Sequence, residues 1–145
     1  MERTAIPQPE VLVIEPEALS RQYVVQALQQ LELHPHVTNA FAPTPDSGVH
    51  LVILGLNVDP VESLLRLEQA QKHCPMAWVM GVSPRIAPTD RIALLNAGLD
   101  FIIEKPFFVE ECVSAVQAIF RRLQPLQARS SRHLSSHDGT PNETP

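Results

Sequence analysis

The stretch that decides the fold is HLVILGLNVDP, residues 50–60. Residues 51–54 are all aliphatic, without polar alternation, and such runs are typical of strands covered on both faces, as in parallel sheets. After Pro60 the apolar residues recur at helical spacing, and Glu68 falls on the outward side, until a helix ends near His73. We therefore predict a central strand that ends at Gly55 and leads into a helix.

Similar units lie on both sides of this central strand. Apolar runs predict strands over residues 11–14, 77–82 and 101–103. The short segment 34–38, with Pro35 near its start, suits a strand at a sheet edge. Helical patterns lie between the strands. A first helix is predicted over 16–32, with Pro16 in its first position. A short helix carries Ile92, Leu94 and Leu95, with its N-cap at Thr89 or Asp90, and a last helix has an apolar stripe from Val109 to Leu123.

Strands that alternate with helices imply a parallel sheet with right-handed crossovers and helices on both faces. We predict an α/β, flavodoxin-like (βα)5 doubly wound fold with strand order 2-1-3-4-5. Between residues 40 and 48 the sequence contains Pro43 and Pro45, which prevent a regular helix. The second helix should therefore be shortened or missing.

Composition divides the chain into three segments. Residues 1–9 contain two prolines and little apolar periodicity, so we expect a flexible leader. Residues 10–123 form the domain. Residues 124–145 are rich in Ser, Arg, His, Thr and Pro, and this composition predicts a disordered tail.

Charge and hydropathy restrict the partners. The 145 residues include 11 basic and 16 acidic ones, and the net charge of −5 offers no basic field for nucleic acid or an anionic membrane surface. No apolar run approaches the ~20 residues of a membrane helix. Cys74 and Cys112 lack metal or disulfide spacing, and His34 and His36 have no third ligand nearby. We expect a cytoplasmic protein with reduced thiols, no metal and protein partners.

A second motif carries a resemblance to a known family. The sequence GLDFIIEKPF, residues 98–107, is similar to the G-A-D-D-Y-L-x-K-P-F motif of response-regulator receiver domains, which are CheY-like, and the likeness extends over about residues 10–123. The resemblance implies that Ser83 takes the hydroxyl position beside a phosphoryl group and that Lys105 takes the position of the lysine that holds phosphoryl oxygens. It also implies a cis peptide bond between Lys105 and Pro106, since proline makes a cis bond cheap.

The acidic half of the family's site departs from the pattern. Gly55 stands where the resemblance places the phosphoacceptor Asp, and the row Glu15-Pro16-Glu17 has a proline in place of an acidic residue. An aspartyl phosphate requires a carboxylate nucleophile and an oxygen-ligated magnesium ion. The resemblance therefore implies a degenerate phosphorylation pocket, formed by Glu15, Pro16, Gly55, Ser83 and Lys105, in a protein that is not an enzyme and has no catalytic residue, metal or cofactor.

A plainer interpretation of the retained residues stays open. Ser83 would end a strand by bonding to the backbone, and Lys105 would pair with Glu15 to compensate its charge. Asp59 lies four residues beyond Gly55, too far along the chain to replace the lost nucleophile.

The resemblance implies a pseudo-receiver, a non-phosphorylatable interaction module in bacterial signal transduction. Domains of this kind are attached to sensor kinases and clock proteins of cyanobacteria, and a kinase or regulatory protein would be the partner. By analogy the contact surface contains Arg91, Leu95, Ile102 and Phe108, and the same surface would serve a homodimer. Ile102 is aliphatic where many switching receivers have an aromatic residue.

Two other functions stay open. A small-molecule sensor would use the vacated crevice at the strand ends, with Ser83 and Lys105 as polar anchors. An atypical phosphoacceptor would use an unusual residue as its nucleophile.

Overall fold

The structure of the chain, a computed structural model, describes residues 8–123. The described part divides into a unit of residues 9–116 and a smaller one that contains residue 8 and residues 117–123. Most of the predicted leader and the whole predicted tail, 124–145, lie outside the described residues. The domain boundaries at 10 and 123 stay predictions.

Within residues 8–123, five strands form one parallel sheet: β1 (Val11–Ile14), β2 (His36–Val37), β3 (Leu51–Gly55), β4 (Trp78–Ser83) and β5 (Phe101–Glu104). Their order across the sheet is β2-β1-β3-β4-β5. This confirms the predicted fold class and strand order. The edge strand β2 is only two residues long and exposed, shorter than the segment predicted at 34–38.

The described part of the chain has four helices, which connect and follow these strands: α1 (Ala18–Gln30), α2 (Pro60–His73), α3 (Pro88–Asn96) and α4 (Val109–Arg122). Two predicted helix starts are wrong. Pro16 precedes α1, because Glu17 has the extended conformation of an N-cap residue. Helix α3 begins at Pro88, which needs no hydrogen-bond acceptor for its nitrogen, so its N-cap is Ala87 and not Thr89 or Asp90.

The chain between β2 and β3 contains no helix, so the second helix of the predicted pattern is missing. Two contacts fix this segment to α2. The Asp46 N–H donates to the His73 carbonyl at 2.6 Å, and the Phe41 ring stacks on the His73 ring with 5.6 Å between centroids. The segment therefore lies against the end of α2 as an irregular loop.

Both faces of the central strands are buried, as their aliphatic runs predict. Leu12, Ile14, Val52 and Leu54 form one core cluster with residues of α2 and α3. Side chains alternate along a strand, so the other residues of β1 and β3, also buried, face the opposite side of the sheet. The carboxyl ends of β1 and β3 consequently lie side by side between two covered faces.

Candidate functional site

The register of the sheet places the predicted pocket at the carboxyl ends of the strands. Ile14 pairs with Leu54, so the next residues along the two strands, Glu15 and Gly55, are neighbours. Ligand sites of doubly wound sheets lie at this edge. The structure therefore brings Glu15 and Gly55 together, as the sequence predicted.

The Glu15 carboxylate occupies the space that a side chain at position 55 would need. A Cβ atom on Gly55 would lie 2.8 Å from Glu15 Oε1 and 2.9 Å from Oε2, closer than real Cβ contacts. Glu15 is buried, with a relative exposure of 2%. The space beside Gly55 is thus filled from the neighbouring strand, so a side chain at position 55 would require the Glu15 carboxylate to shift, a contact that sequence reasoning missed.

Lys105 bridges two carboxylates. Its Nζ lies 2.8 Å from Glu17 Oε1 and 3.2 Å from Glu15 Oε1. The second contact is an ion pair without hydrogen-bond geometry, because Glu15 Oε1 has no hydrogen-bond partner. The other oxygen, Glu15 Oε2, accepts from the Glu17 backbone N–H at 2.8 Å. The predicted Glu15–Lys105 pairing is present, and Glu17 is an additional partner of Lys105.

Glu17 is the exposed member of this cluster. The hydrogen bond from Lys105, a second one from the Ser20 hydroxyl at 2.9 Å and the nearby lysine charge hold its pKa below the ordinary value of 4.5. A lowered pKa in the folded state means that the ionised carboxylate stabilises the fold.

We expect a Glu17→Gln variant to be slightly less stable than the parent protein at neutral pH. Because the folded pKa is lowered, the difference should be fully present above pH 4.5 and should vanish as the pH falls through the folded pKa. Exposure limits it to about 1 kcal/mol or less. Urea unfolding of both proteins between pH 3 and pH 7 measures it; a difference that grows toward acid pH would contradict this assignment.

The side chain and the main chain of Ser83 both form hydrogen bonds to backbone groups. Its buried hydroxyl donates to the Pro84 carbonyl at 2.6 Å, and its carbonyl accepts from the Lys105 backbone N–H at 2.8 Å. The Lys105–Pro106 peptide bond is cis, which confirms that prediction. The plainer interpretation of Ser83, a strand-ending hydroxyl bonded to the backbone, agrees with this geometry.

Two further side chains order the loops around the pocket. Arg21, which the sequence reading did not single out, donates from Nη1 to the carbonyls of Glu15 at 2.9 Å and of Pro16 at 3.1 Å. Asp59 caps α2, since its carboxylate accepts from the Val61 N–H at 3.0 Å. Asp59 thus has a structural role.

The pocket does not fit the magnesium ion of phosphorylated receivers. Gly55 supplies no side-chain oxygen, and the Lys105 ammonium already lies against both carboxylates, where a divalent cation would meet like charge. No cluster of three His, Cys, Asp or Glu side chains suited to a metal occurs among residues 8–123.

The four residues predicted for protein contact differ in accessibility. Phe108 is 77% exposed and Leu95 is 40% exposed, whereas Ile102 is partly buried against the core cluster. Arg91 forms an ion pair with Glu104 that joins α3 to β5. Phe107, the residue before Phe108, is buried, and its ring packs edge-on against Tyr23.

Both cysteines of the described residues are free thiols, as their spacing predicts. Cys74 and Cys112 are free and buried, and burial raises the pKa of each thiol, that of Cys112 to about 12. Within the described part of the chain, every helix is too short or too polar to cross a membrane.

Several curated proteins are similar to this chain. The alkaline phosphatase synthesis transcriptional regulatory protein SphR of Synechococcus elongatus is 29% identical over 133 residues, which cover 83% of this chain and 52% of SphR. The response regulator MprA of Mycobacterium leprae is 30% identical over 66% of this chain and 40% of its own length. The chain therefore spans about half the length of the curated relatives it matches. No family model matches the sequence.

Solved structures share the fold. A CheY-like response regulator receiver domain protein from Methanospirillum hungatei superposes with a TM-score of 0.66 at 16% identity, covering 80% of this chain and 96% of that one. A response regulator from Thermotoga maritima has a TM-score of 0.60 at 21% identity and covers 77% and 97% of the two chains. The fold defines a doubly wound α/β domain. The shared fold and the sequence relatives together support the interpretation that this chain is a response-regulator receiver domain of the CheY-like kind.

Proposed function

We propose that this chain is a pseudo-receiver: a receiver-like module that does not accept a phosphoryl group and acts by binding another signalling protein. The observation that carries the proposal is the position of Glu15, whose buried carboxylate fills the space beside Gly55. Phosphoryl acceptance would require a carboxylate from strand β3 and a metal ion to offset charge. Neither requirement fits this pocket, and for that reason we do not regard the protein as an enzyme.

The ion-pair cluster also supports a single fixed state. In this arrangement Lys105 holds both Glu15 and Glu17, and Ser83 is engaged by Pro84. These contacts already engage Ser83 and Lys105, the two side chains that the resemblance would offer to an incoming phosphate or ligand. The small-molecule alternative at this crevice and the atypical phosphoacceptor therefore gain no support.

The surface around α3, β5 and the start of α4 is the proposed contact site for a kinase or regulatory partner. Phe108 is the most exposed large apolar side chain of the described residues, and aromatic side chains are enriched at protein interfaces. Leu95 and Arg91 lie on the neighbouring helix α3, and Ile102 lies on β5. A second copy of the chain would dock on the same surface if the module forms a homodimer.

The likeness to SphR, from a cyanobacterium, is consistent with a cyanobacterial signalling pathway, and we place the protein in the cytoplasm. The net charge of −5 favours protein partners over nucleic acid or membrane surfaces. The DNA-directed activity of a transcriptional regulator is a property of the whole relatives, of which this chain matches about half.

We expect the immobilised domain to capture the same partner from its native extract with or without acetyl phosphate and magnesium. A Phe108→Ser variant should capture about tenfold less partner than the parent domain, or less still, since aromatic anchors dominate binding energy at interfaces. Val58→Ser is the matched control, because Val58 is 68% exposed but lies before α2. Capture that depends on acetyl phosphate, or equal losses in the two variants, would contradict the proposal. Light scattering of the purified domain tests the homodimer.

A further inference from the structure

A cavity of about 320 Å³ lies where the missing helix leaves α2 uncovered. Its apolar wall contains Ile14, Leu54 and Phe41, and its polar wall contains Glu62, Arg66 and His73. The volume is at the lower end of the range for small-molecule sites, about 300–1,000 Å³. Ile14 and Leu54 belong to the face of the sheet that packs on α2. Glu15, the next residue after Ile14, alternates to the other face, so this cavity is separate from the pocket beside Gly55.

Two polar atoms of the cavity wall lack partners. Arg66 Nε and His73 Nδ1 are shielded from solvent, yet neither has a hydrogen-bond partner among the described residues. Both residues lie on α2 and are seven positions apart, which places them on one face of the helix. Arg66 Nε–H is a donor, and His73 Nδ1 donates in the tautomer that carries its proton there. A buried donor without an acceptor costs folding free energy, and that cost is recovered when a ligand supplies the acceptor.

The cavity wall is held in place without a ligand. The His73 ring stacks on the Phe41 ring at an interplanar angle of 9°. The His73 carbonyl also accepts from the Asp46 N–H, and the Thr38 N–H at the start of the loop donates to the Val13 carbonyl at 3.0 Å. The loop and the end of α2 thus form a preformed wall, as is usual for small-molecule sites.

The charges of the wall select the ligand. Arg66 offers a guanidinium that suits a carboxylate or phosphate, whereas Glu62 lies one helical turn earlier and also lines the cavity. A second negative charge on a ligand would meet Glu62, so a singly charged anion fits better than a phosphate. Phe41 is the half-buried apolar side chain of the wall, and Ile14 and Leu54 lie buried behind it, so a small hydrocarbon or aromatic body would rest against Phe41.

We propose that this cavity binds a small organic monocarboxylate, with its acid group on Arg66 and His73 and its apolar body against Ile14, Leu54 and Phe41. The inference goes beyond the pseudo-receiver function and does not depend on it. It assigns a ligand site to the part of the fold from which a helix is missing.

The test uses phenylacetate as the probe, titrated into the 145-residue chain and followed by amide chemical shifts. We expect saturable changes at residues 39–41 and 62–73. Benzyl alcohol, which keeps the ring without the charge, and inorganic phosphate, which lacks the apolar body, should each bind about tenfold more weakly or worse. No saturable change with phenylacetate, or equal affinity for benzyl alcohol, would overturn the proposal.

Variants of α2 locate the site. Arg66→Lys keeps a positive charge but loses the planar donor group, and it should weaken phenylacetate binding about tenfold, as should His73→Ala. Lys72→Gln removes a charge from the exposed side of the same helix and should leave the affinity within about twofold. Circular dichroism checks the fold of each variant, and the comparison of probes on the parent protein stands even if a variant does not fold. An equal loss in Lys72→Gln would refute the site.

Discussion

Replacing Lys105 by methionine is expected to lower the free energy of unfolding by about 2–4 kcal/mol at neutral pH. The substitution keeps the apolar stem but removes the ammonium that lies 3.2 Å from the buried Glu15 carboxylate. Glu15 would then retain a single hydrogen bond, from the Glu17 N–H, for a charge that is almost completely shielded from water. A buried charge that loses its partner is strongly destabilising. Urea unfolding at pH 7 measures the effect.

The matched double variant distinguishes charge from packing. Adding Glu15→Gln to Lys105→Met removes the uncompensated charge but keeps an oxygen for the Glu17 N–H, so most of the lost stability should return. Glu17→Gln in the Lys105→Met background should recover little, because the Glu17 side chain is 55% exposed and water solvates its charge. If Lys105→Met alone changes stability by less than about 0.5 kcal/mol, the cluster does not have the structural role that we assign to it.

Much of the fold could be predicted because hydrophobic pattern determines it locally. The aliphatic runs of β1 and β3 indicate strands buried on both faces, and the prolines between β2 and β3 exclude a helix there. Helix starts were less predictable, as Pro16 and Pro88 show. Proline suits the first position of any helix, and only the tertiary contacts around Glu15 and Glu17 decide that α1 begins two residues after Pro16.

The site was predictable in its members but not in its packing. Glu15, Gly55 and Lys105 follow from the family resemblance and from the rule that parallel strands end at one edge. The sequence suggested an empty place at Gly55, since glycine has no side chain. The structure corrects this expectation: the register sets Glu15 beside Gly55, and a glutamate is long enough to turn its carboxylate into that space. Contacts between residues forty positions apart leave no periodic signal.

Any side chain at position 55 is expected to destabilise the protein. In Gly55→Ala the new Cβ would lie 2.8 Å from Glu15 Oε1, so the Glu15 carboxylate must move from its place between Lys105 and the Glu17 N–H. We expect a loss of about 1–3 kcal/mol, the range for overpacking. In a Glu15→Ala background the same substitution should cost much less, because the atom it would meet is gone. Equal costs in the two backgrounds, measured by urea unfolding, would contradict the steric argument.

Gly55→Asp adds charge to this overpacking and should not create an efficient phosphoacceptor. The new carboxylate would lie beside Glu15, and two like charges at this range destabilise each other, with a combined cost of about 2–4 kcal/mol. Pro16 still supplies no metal ligand, and Lys105 stays attracted to the carboxylates that surround it.

Intact mass after incubation with acetyl phosphate and magnesium should show no phosphoryl group on the parent protein or on Gly55→Asp. The double variant Pro16→Asp with Gly55→Asp is the informative comparison, because it rebuilds the acidic row beside Ser83 and Lys105. If Gly55→Asp alone is phosphorylated as fast as an ordinary receiver, the Glu15 carboxylate moves aside at little cost. The missing Asp side chain would then be the sole reason why the parent protein is not phosphorylated.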